Sequence, residues 1–112
     1  MPLLFSYGTL QDPQVQLSTV ARLLDGDRDE LVEYELSSVR IDDPEVVAQL
    51  GRTHHANVTF NGNGDSRVAG TALRVTNDEL ARFDEFEAAF SYERITARLA
   101  SGRETFVYVA RD

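Results

Sequence analysis

Near the start of the chain, residues 3–10 read Leu3-Leu4-Phe5-Ser6-Tyr7-Gly8-Thr9-Leu10. The apolar run from Leu3 to Tyr7 predicts a buried strand, and Gly8 predicts that this strand ends in a tight loop. Glycine leaves space beside the backbone, so N–H groups in such a loop can converge on a carboxylate or a developing oxyanion. Because most strand-glycine junctions are simple turns, the motif by itself makes residues 7–10 only a candidate binding loop.

The segment that follows predicts one helix and three strands. Asp12-Pro13 supplies an N-cap and a first helical position, apolar residues continue at helical spacing to Leu24, and Gly26 is expected to end the helix. Alternating apolar positions predict half-buried strands at 32–36 and 56–60. Residues 61–64, Asn-Gly-Asn-Gly, are typical of a hairpin turn, from which residues 68–75 would return as the next strand.

The last part of the chain predicts a capped helix and two more strands. Thr76 and Glu79 have the spacing of a capping box, and the helix is expected to run to Glu87 or Ala88. Residues 92–99 and 105–109 read as strands joined at a turn around 101–102. Strands outnumber helices, so residues 1–112 are expected to form a single α+β domain, a small mixed β-barrel or curled sheet with flanking helices.

Composition narrows the classes of function. The 112 residues include no cysteine, 11 Lys and Arg, and 19 Asp and Glu, which gives a net charge of -8. A surface that follows phosphates needs clustered basic residues, so nucleic acid and anionic membranes are not expected as partners. The apolar runs are far shorter than the ~20 residues of a membrane span, and the first residues lack the charged region of a signal peptide. A cytoplasmic location is therefore expected.

Two carboxylates interrupt the apolar stripe of the last predicted helix. Leu80, Phe83, Asp84 and Glu87 share one helix face, and the first two mark it as the inward face. Glu87 also lies near the helix C-terminus, where the helix dipole disfavours negative charge. A buried acid in such a position often has a raised pKa and transfers protons. Periodicity alone favours a plainer interpretation, in which both acids are solvated at the edge of the stripe or pair with Arg82 or Arg94.

Other familiar catalytic patterns are missing from the sequence. It contains no cysteine nucleophile, no glycine-rich phosphate loop and no G-x-S-x-G motif. The two histidines, His54 and His55, are adjacent in a predicted strand and would point to opposite faces, so they are not expected to bind one metal ion. A glycosidase-like use of Asp84 and Glu87 has little support, because no aromatic platform for a sugar is evident.

Several short motifs together resemble the gamma-glutamylcyclotransferase family, also called the AIG2-like family. They are Leu4–Leu10, Gly70-Thr71, the run Phe83-Asp84-Glu85-Phe86-Glu87, and the pair Tyr92 and Arg94. These motifs occur in family order and close to family spacing. The resemblance implies a small mixed barrel with flanking helices, which agrees with the strand-rich interpretation above.

The resemblance also implies a function and a set of site residues. Glu87 would be the catalytic acid and base, the loop Tyr7, Gly8, Thr9 and Leu10 would bind the gamma-glutamyl group through backbone donors, and Tyr92 would line the site. The implied reaction cyclises a gamma-glutamyl amine or peptide to 5-oxoproline and releases the amine, with no metal and no cofactor. The alternative is a non-catalytic module that binds a small carboxylate or gamma-glutamyl ligand.

The chain departs from the family pattern at two places. Ala88 follows Glu87 where the family often has glycine, and His55-Ala56-Asn57 replaces a frequent Tyr-Pro pair in the central strand. The second departure leaves the identity of the leaving amine open. The sequence does not predict the oligomeric state.

Overall fold

The computed structural model describes residues 1–111 and contains strands, α-helices and one short 3-10 helix in the following order. They are β1 (Leu3–Ser6), the 3-10 helix (Thr9–Gln11), α1 (Pro13–Val20), β2 (Gly26–Val32), β3 (Tyr34–Arg40), α2 (Pro44–Leu50), β4 (His54–Phe60), β5 (Arg67–Arg74), α3 (Asn77–Ala88), β6 (Tyr92–Arg98) and β7 (Glu104–Ala110). The α+β class predicted from the sequence is confirmed.

The main sheet has five strands in the order β2-β5-β1-β7-β6, and β3 and β4 form a separate two-stranded sheet. The first strand is therefore central. It pairs antiparallel with β5, Leu3 opposite Arg74, and parallel with β7, Leu4 opposite Phe106. This topology places the end of β1, and the loop that follows it, beside strands from the last part of the chain.

The main sheet curls until its two edge strands meet. An isolated bridge joins Leu31 at the end of β2 to Leu99 just after β6, and the N–H of Ala100 donates to the carbonyl of Glu30 at 2.8 Å. We call this contact between the edges the seam. The edges meet at the seam and not along their whole length, so the sheet is curled rather than a fully closed barrel.

Two apolar cores lie on the two faces of the curled sheet. One lies under α1 and α3 and includes Leu4, Phe83 and Tyr108, and the other is enclosed by the curl and includes Phe5 and Val107. Adjacent strand residues point to opposite faces, so β1 and β7 each contribute to both cores. The expectation that the last strand is covered on both faces is confirmed, since Val107 and Tyr108 are both buried.

The first helix is shorter than the sequence predicted. It ends at Val20, and Ala21 closes it in the left-handed conformation, with φ 61° and an N–H that donates to Leu17. The prediction that Gly26 ends this helix is wrong, because Gly26 begins β2. A Cβ there would lie 2.8 Å from the side chain of Thr71 on β5, so close strand approach accounts for the glycine.

The prediction of a hairpin turn at residues 61–64 is also wrong. Strand β4 pairs with β3, whereas β5 pairs with β2, so residues 61–66 form a bulge between two strands of different sheets. Glu33, with φ 68°, separates β2 from β3, and its carbonyl accepts the N–H groups of Asn61 and Gly62 at 2.9 and 3.2 Å. The glycine and asparagine residues of this segment thus form a bulge opposite Glu33, and the chain does not reverse direction there.

The reversal between β3 and β4 is made by α2, which the sequence analysis missed. Asp43 caps the helix by accepting from the N–H of Glu45 at 2.9 Å, Pro44 takes the first position, and Gly51 closes it with φ 69°. An Asp-Pro start and a glycine seven residues later were the signals that could have revealed this helix.

Candidate active site

A pocket of about 230 Å³ opens between the end of β1, helix α3 and strand β4. The structure brings all six residues of the predicted site to its lining, which are Tyr7, Gly8, Thr9, Leu10, Glu87 and Tyr92. These residues come from three separate segments of the chain. Their meeting in one pocket is a consequence of the topology, which sets β1 between β5 and β7 and packs α3 against β6.

Glu87 lies at the buried end of the pocket. Helix α3 begins with a complete capping box, in which Thr76 accepts from the N–H of Glu79 at 3.1 Å and the Glu79 side chain accepts from the N–H of Thr76 at 2.9 Å. This start fixes the phase of the helix and turns Glu87 inward, where the residue is only 8% exposed. Burial raises the pKa of Glu87 to about 7, because the apolar surroundings penalise the ionised carboxylate.

Asp84 has a different environment from Glu87. Its carboxylate accepts a hydrogen bond from the Tyr108 hydroxyl at 2.7 Å and lies 3.4 Å from the guanidinium of Arg94. The arginine-paired alternative weighed for both acids is therefore correct for Asp84. For Glu87 the solvated alternative is wrong, since that residue is buried.

The loop after β1 is held by hydrogen bonds on both sides. The Tyr7 hydroxyl donates to the carbonyl of Tyr108 at 2.7 Å, and the Gly8 carbonyl accepts the N–H of Gln11 at 3.1 Å as the 3-10 helix begins. The N–H of Gly8 donates to the Ser6 hydroxyl at 3.3 Å. The first N–H groups of a helix have no intrahelical acceptor, so those of Thr9 and Leu10 are the donors best available to a ligand.

Tyr92 begins β6 and spans the pocket toward β4. Its hydroxyl donates to the carbonyl of Ala56, and its ring meets the His55 ring edge to face at 5.6 Å between centroids. Burial, and to a lesser extent the charge of Glu87, raises the pKa of Tyr92 to about 12, against which the charge of Arg52 acts in the opposite direction. The side chain therefore remains protonated at neutral pH.

Several residues of the pocket wall were not predicted from the sequence. Tyr108 of β7 and Phe90 line the pocket, and the Phe90 ring meets the His55 ring edge to face at 5.7 Å between centroids. Arg52 lies in the short segment between α2 and β4 and also lines the pocket. The alternation in β4 correctly predicted that the two histidines face apart, because His54 is exposed and contacts Thr53 instead. No sequence signal marked Phe90 or Arg52, since their loops are placed only by tertiary packing.

The electrostatic setting of His55 follows from its neighbours. Burial, and then the nearby charge of Arg52, lowers its pKa from the ordinary value, so the ring is neutral at neutral pH. Within residues 1–111, no group of three or more His, Asp or Glu side chains is arranged to bind a metal ion. In the same part of the chain, no helix is long and apolar enough to cross a membrane.

This fold and pocket define a class of small α+β proteins in which a buried carboxyl group faces a loop at the end of the central strand. Comparison with sequence families matches residues 4–112 to the family described as gamma-glutamyl cyclotransferase, AIG2-like, and the chain belongs to that family. The resemblance found in the sequence is thereby confirmed. No curated protein matches the sequence at a significant level.

Solved structures share the fold at low sequence identity. A protein from Arabidopsis thaliana, solved in solution, superposes with a TM-score of 0.70 at 21% identity over 97% of this chain. A structure described as a gamma-glutamyl cyclotransferase gives 0.66 at 17%, and an uncharacterized protein from Homo sapiens gives 0.69 at 19%, each over 98% of this chain. This chain spans 61% of the first protein and 66% of each of the other two.

Proposed function

We propose that the protein is a gamma-glutamylcyclotransferase that converts a gamma-glutamyl amine or peptide into 5-oxoproline and the free amine. The observation that carries this proposal is the buried carboxyl of Glu87, with a pKa of about 7, in the same pocket as the loop of residues 7–10. A pKa near the working pH is what a group needs if it is to accept a proton in one step and return it in the next. Family membership supports the same class of reaction.

In the proposed reaction the substrate attacks itself. The alpha-amine nitrogen forms a bond to the gamma-carbonyl carbon, the bond from that carbon to the leaving nitrogen breaks, and no water is consumed. Because the two reacting groups belong to one molecule, the protein needs mainly to fold the substrate and move a proton. Ionised Glu87 takes one proton from the alpha-ammonium before attack and delivers it to the leaving nitrogen once the ring has closed. As the amine departs, Glu87 takes the second proton that the ring nitrogen must lose and releases it to the departing amine or to solvent.

The tetrahedral intermediate carries negative charge on the former carbonyl oxygen. The N–H groups of Thr9 and Leu10, at the start of the 3-10 helix, are the donors we assign to this oxygen. The hydroxyls of Tyr7 and Tyr92 are already committed to backbone carbonyls, so these rings shape the pocket and exclude water. The reaction as written uses no metal and no organic cofactor.

The test is release of 5-oxoproline from a panel of gamma-glutamyl amines and dipeptides, followed by mass spectrometry. The parent protein is expected to turn over at least one member of the panel, both before and after treatment with a chelator, and Glu87→Gln is expected to be inactive. Saturable binding of the panel without turnover would instead support the non-catalytic binding module. Activity that remained intact in Glu87→Gln would overturn the assignment of the catalytic residue.

A further inference from the structure

Arg52 brings a positive charge to the open end of the pocket. The pocket has a buried end, marked by Glu87 at 8% exposure, and an open end, where Arg52 is exposed. The chain as a whole is acidic, with a net charge of -8. A cation at the entrance of a small pocket in an acidic protein indicates a ligand with a negatively charged group.

The backbone on either side of Arg52 is fixed. Gly51 closes helix α2 in the left-handed conformation and its N–H donates to the carbonyl of Val47 at 2.9 Å. The carbonyl of Thr53 accepts the N–H of Ile41 at 2.8 Å. Arg52 therefore extends from a short segment that is anchored at both neighbours, and not from a long loop.

The charge of Arg52 acts on the pocket itself. It lowers the pKa of His55 and opposes the rise in the pKa of Tyr92, and both of these side chains line the pocket. Among residues 1–111, Arg52 makes no salt bridge. Four other arginines do pair with acids, and they are Arg22, Arg74, Arg94 and Arg103. The guanidinium of Arg52 thus has donors to offer a ligand.

The orientation of the substrate follows from the proposed function, on which this inference rests. The reacting gamma-carbonyl must lie near Glu87 at the buried end, so the leaving amine extends toward the open end. We propose that Arg52 binds a carboxylate carried by the leaving group, so that gamma-glutamyl amino acids are preferred over gamma-glutamyl derivatives of simple amines. The planar guanidinium presents two parallel N–H donors that match the two oxygens of a carboxylate.

The rest of the open end suits the remainder of such a leaving group. The rings of His55 and Phe90 meet edge to face there, and the His55 ring is neutral at neutral pH. Neutral and apolar surfaces of this kind can cover a small side chain without competing for its carboxylate. Arg52 then supplies the charge that separates an amino acid from an amine of the same size.

A matched pair of substrates tests the effect of the leaving-group carboxylate alone. Gamma-glutamyl-alanine and gamma-glutamyl-ethylamine differ only in the carboxylate of the leaving group. Replacing arginine by glutamine in Arg52→Gln removes the charge and keeps much of the length. We expect kcat/KM for gamma-glutamyl-alanine to fall by about five- to tenfold, mainly through KM, because one partly exposed ion pair is lost. For gamma-glutamyl-ethylamine the change should stay within about twofold.

Two further variants control for charge and shape. Arg98→Gln changes the net charge equally at an exposed position of β6 and should leave both substrates unaffected. Arg52→Lys keeps the charge without the paired donors and should recover part of the preference for gamma-glutamyl-alanine. Thermal melts of all variants should agree with the parent, since Arg52 is exposed.

The outcomes separate this inference from the proposed function. If the parent releases 5-oxoproline but Arg52→Gln affects both substrates equally or neither, then Arg52 does not bind a leaving-group carboxylate and the proposed function stands. If the folded parent neither turns over nor binds either substrate, the proposed function fails and this inference fails with it. Selective loss with gamma-glutamyl-alanine is the result that supports the inference.

Discussion

Burial of Glu87 lowers the stability of the fold by an amount that depends on pH. A buried carboxyl whose pKa is higher folded than unfolded binds its proton more tightly in the native state. Stability therefore declines as pH rises from the ordinary value of 4.5 through about 7, and it levels off above that. Nothing in helix energetics favours an acid here, because Glu87 lies at the C-terminal end of α3. A cost of this kind is typical of residues kept for chemistry.

Replacing Glu87 by glutamine should remove this cost. Glu87→Gln keeps the shape and the hydrogen-bonding capacity but cannot ionise, so it should match the parent in stability at pH 4. At pH 7.5 to 8 it should be more stable by up to about 3 kcal/mol, at 1.36 kcal/mol for each pKa unit between 4.5 and about 7. Urea unfolding of both proteins at the two pH values measures the difference.

The same variant should lose cyclisation activity, and parent activity should rise with pH through about 7 as Glu87 ionises. Glu85→Gln, on the exposed side of α3, is the matched control and should change neither stability nor activity appreciably. A Glu87→Gln protein that was less stable than the parent at pH 7.5 would mean that the carboxylate is a structural ion-pair partner.

Gly8 offers a second test at the scale of one residue. A Cβ at Gly8 would meet no atom within 4 Å, so packing of the fold does not demand glycine, and Gly8→Val should melt close to the parent. If the loop binds the reacting group, the added side chain should block it and lower kcat/KM by a hundredfold or more, since loss of one oxyanion donor costs about 2.7–4 kcal/mol. Thr9→Ser should keep most of the activity because only the backbone N–H is used.

Normal turnover by Gly8→Val would place the reacting group elsewhere in the pocket. A variant that had lost both activity and stability would show instead that the glycine has a structural role. Thermal melts and initial rates measured on the same preparation separate these cases.

At the scale of elements, Tyr108 of β7 connects the loop of residues 7–10 to helix α3. The carbonyl of Tyr108 accepts the Tyr7 hydroxyl, and the Tyr108 hydroxyl donates to Asp84, one turn of α3 before Glu87. Arg94 holds the Asp84 carboxylate from β6 and also lies 4.5 Å from the centre of the Phe106 ring. The loop of residues 7–10 and the helix that carries Glu87 are thus set relative to each other by a single strand.

Removing the Tyr108 hydroxyl should loosen this connection. Tyr108→Phe keeps the ring and the backbone bond to Tyr7 but removes the hydrogen bond to Asp84 and leaves that carboxylate with Arg94 alone, which should cost about 1–2 kcal/mol of stability. Activity should fall several-fold in kcat with little change in KM, because Glu87 is held less well. Asp84→Asn, which can still accept the hydrogen bond, should behave more like the parent.

Tyr34→Phe is a suitable control for that experiment. Tyr34 is also buried, and within residues 1–111 its hydroxyl makes no hydrogen bond to a side chain or backbone group. If Tyr108→Phe and Tyr34→Phe were equally stable and equally active, the hydroxyl of Tyr108 would have no positioning role.

Elements with local signals were predictable, and those fixed by distant partners were not. The start of α3 was readable because the Thr76–Glu79 capping box is complete within four residues. The bulge at residues 61–66 could not be predicted, because its geometry depends on the carbonyl of Glu33, nearly thirty residues away in sequence. In α3 periodicity predicted a shared inward face for Asp84 and Glu87, but only the packing of Arg94 and Tyr108 shows which acid is paired.

At the scale of the whole molecule, the seam is reinforced by a cluster of charges around Asp29. Its carboxylate accepts from Arg103 at 2.9 Å and from the Ser101 hydroxyl at 2.7 Å, and its side chain is only 6% exposed. Desolvation alone would raise the pKa of Asp29, but the hydrogen bonds from Ser101, the Glu30 N–H and Arg103 outweigh it and lower that pKa. This cluster fastens the turn between β6 and β7 to β2.

Asp29→Ala should therefore destabilise the fold by about 1–2 kcal/mol near neutral pH. Because the folded-state pKa of Asp29 is lowered, its contribution is present above the unfolded value and is lost as pH falls through the folded one. The gap between variant and parent should close in acid. Asp27→Ala removes a carboxylate that is 51% exposed and pairs with Arg74 at 2.6 Å and, more loosely, with Arg103 at 3.7 Å, so it should cost under about 1 kcal/mol. Equal losses of stability in Asp29→Ala and Asp27→Ala would mean that the hydrogen bonds of Asp29 at the seam contribute no more than an exposed ion pair.

The pairing of the first strand with the last constrains when the pocket forms during synthesis. Residues 3–10 leave the ribosome well before β7, yet Tyr7 must wait for the carbonyl of Tyr108, 101 residues further on. Until then the apolar run of β1 lacks one of its two neighbours. Closing so long a loop is slow, and exposed strand edges invite aggregation meanwhile. The loop of residues 7–10 is thus synthesised early, but the pocket that it lines forms only when β7 docks.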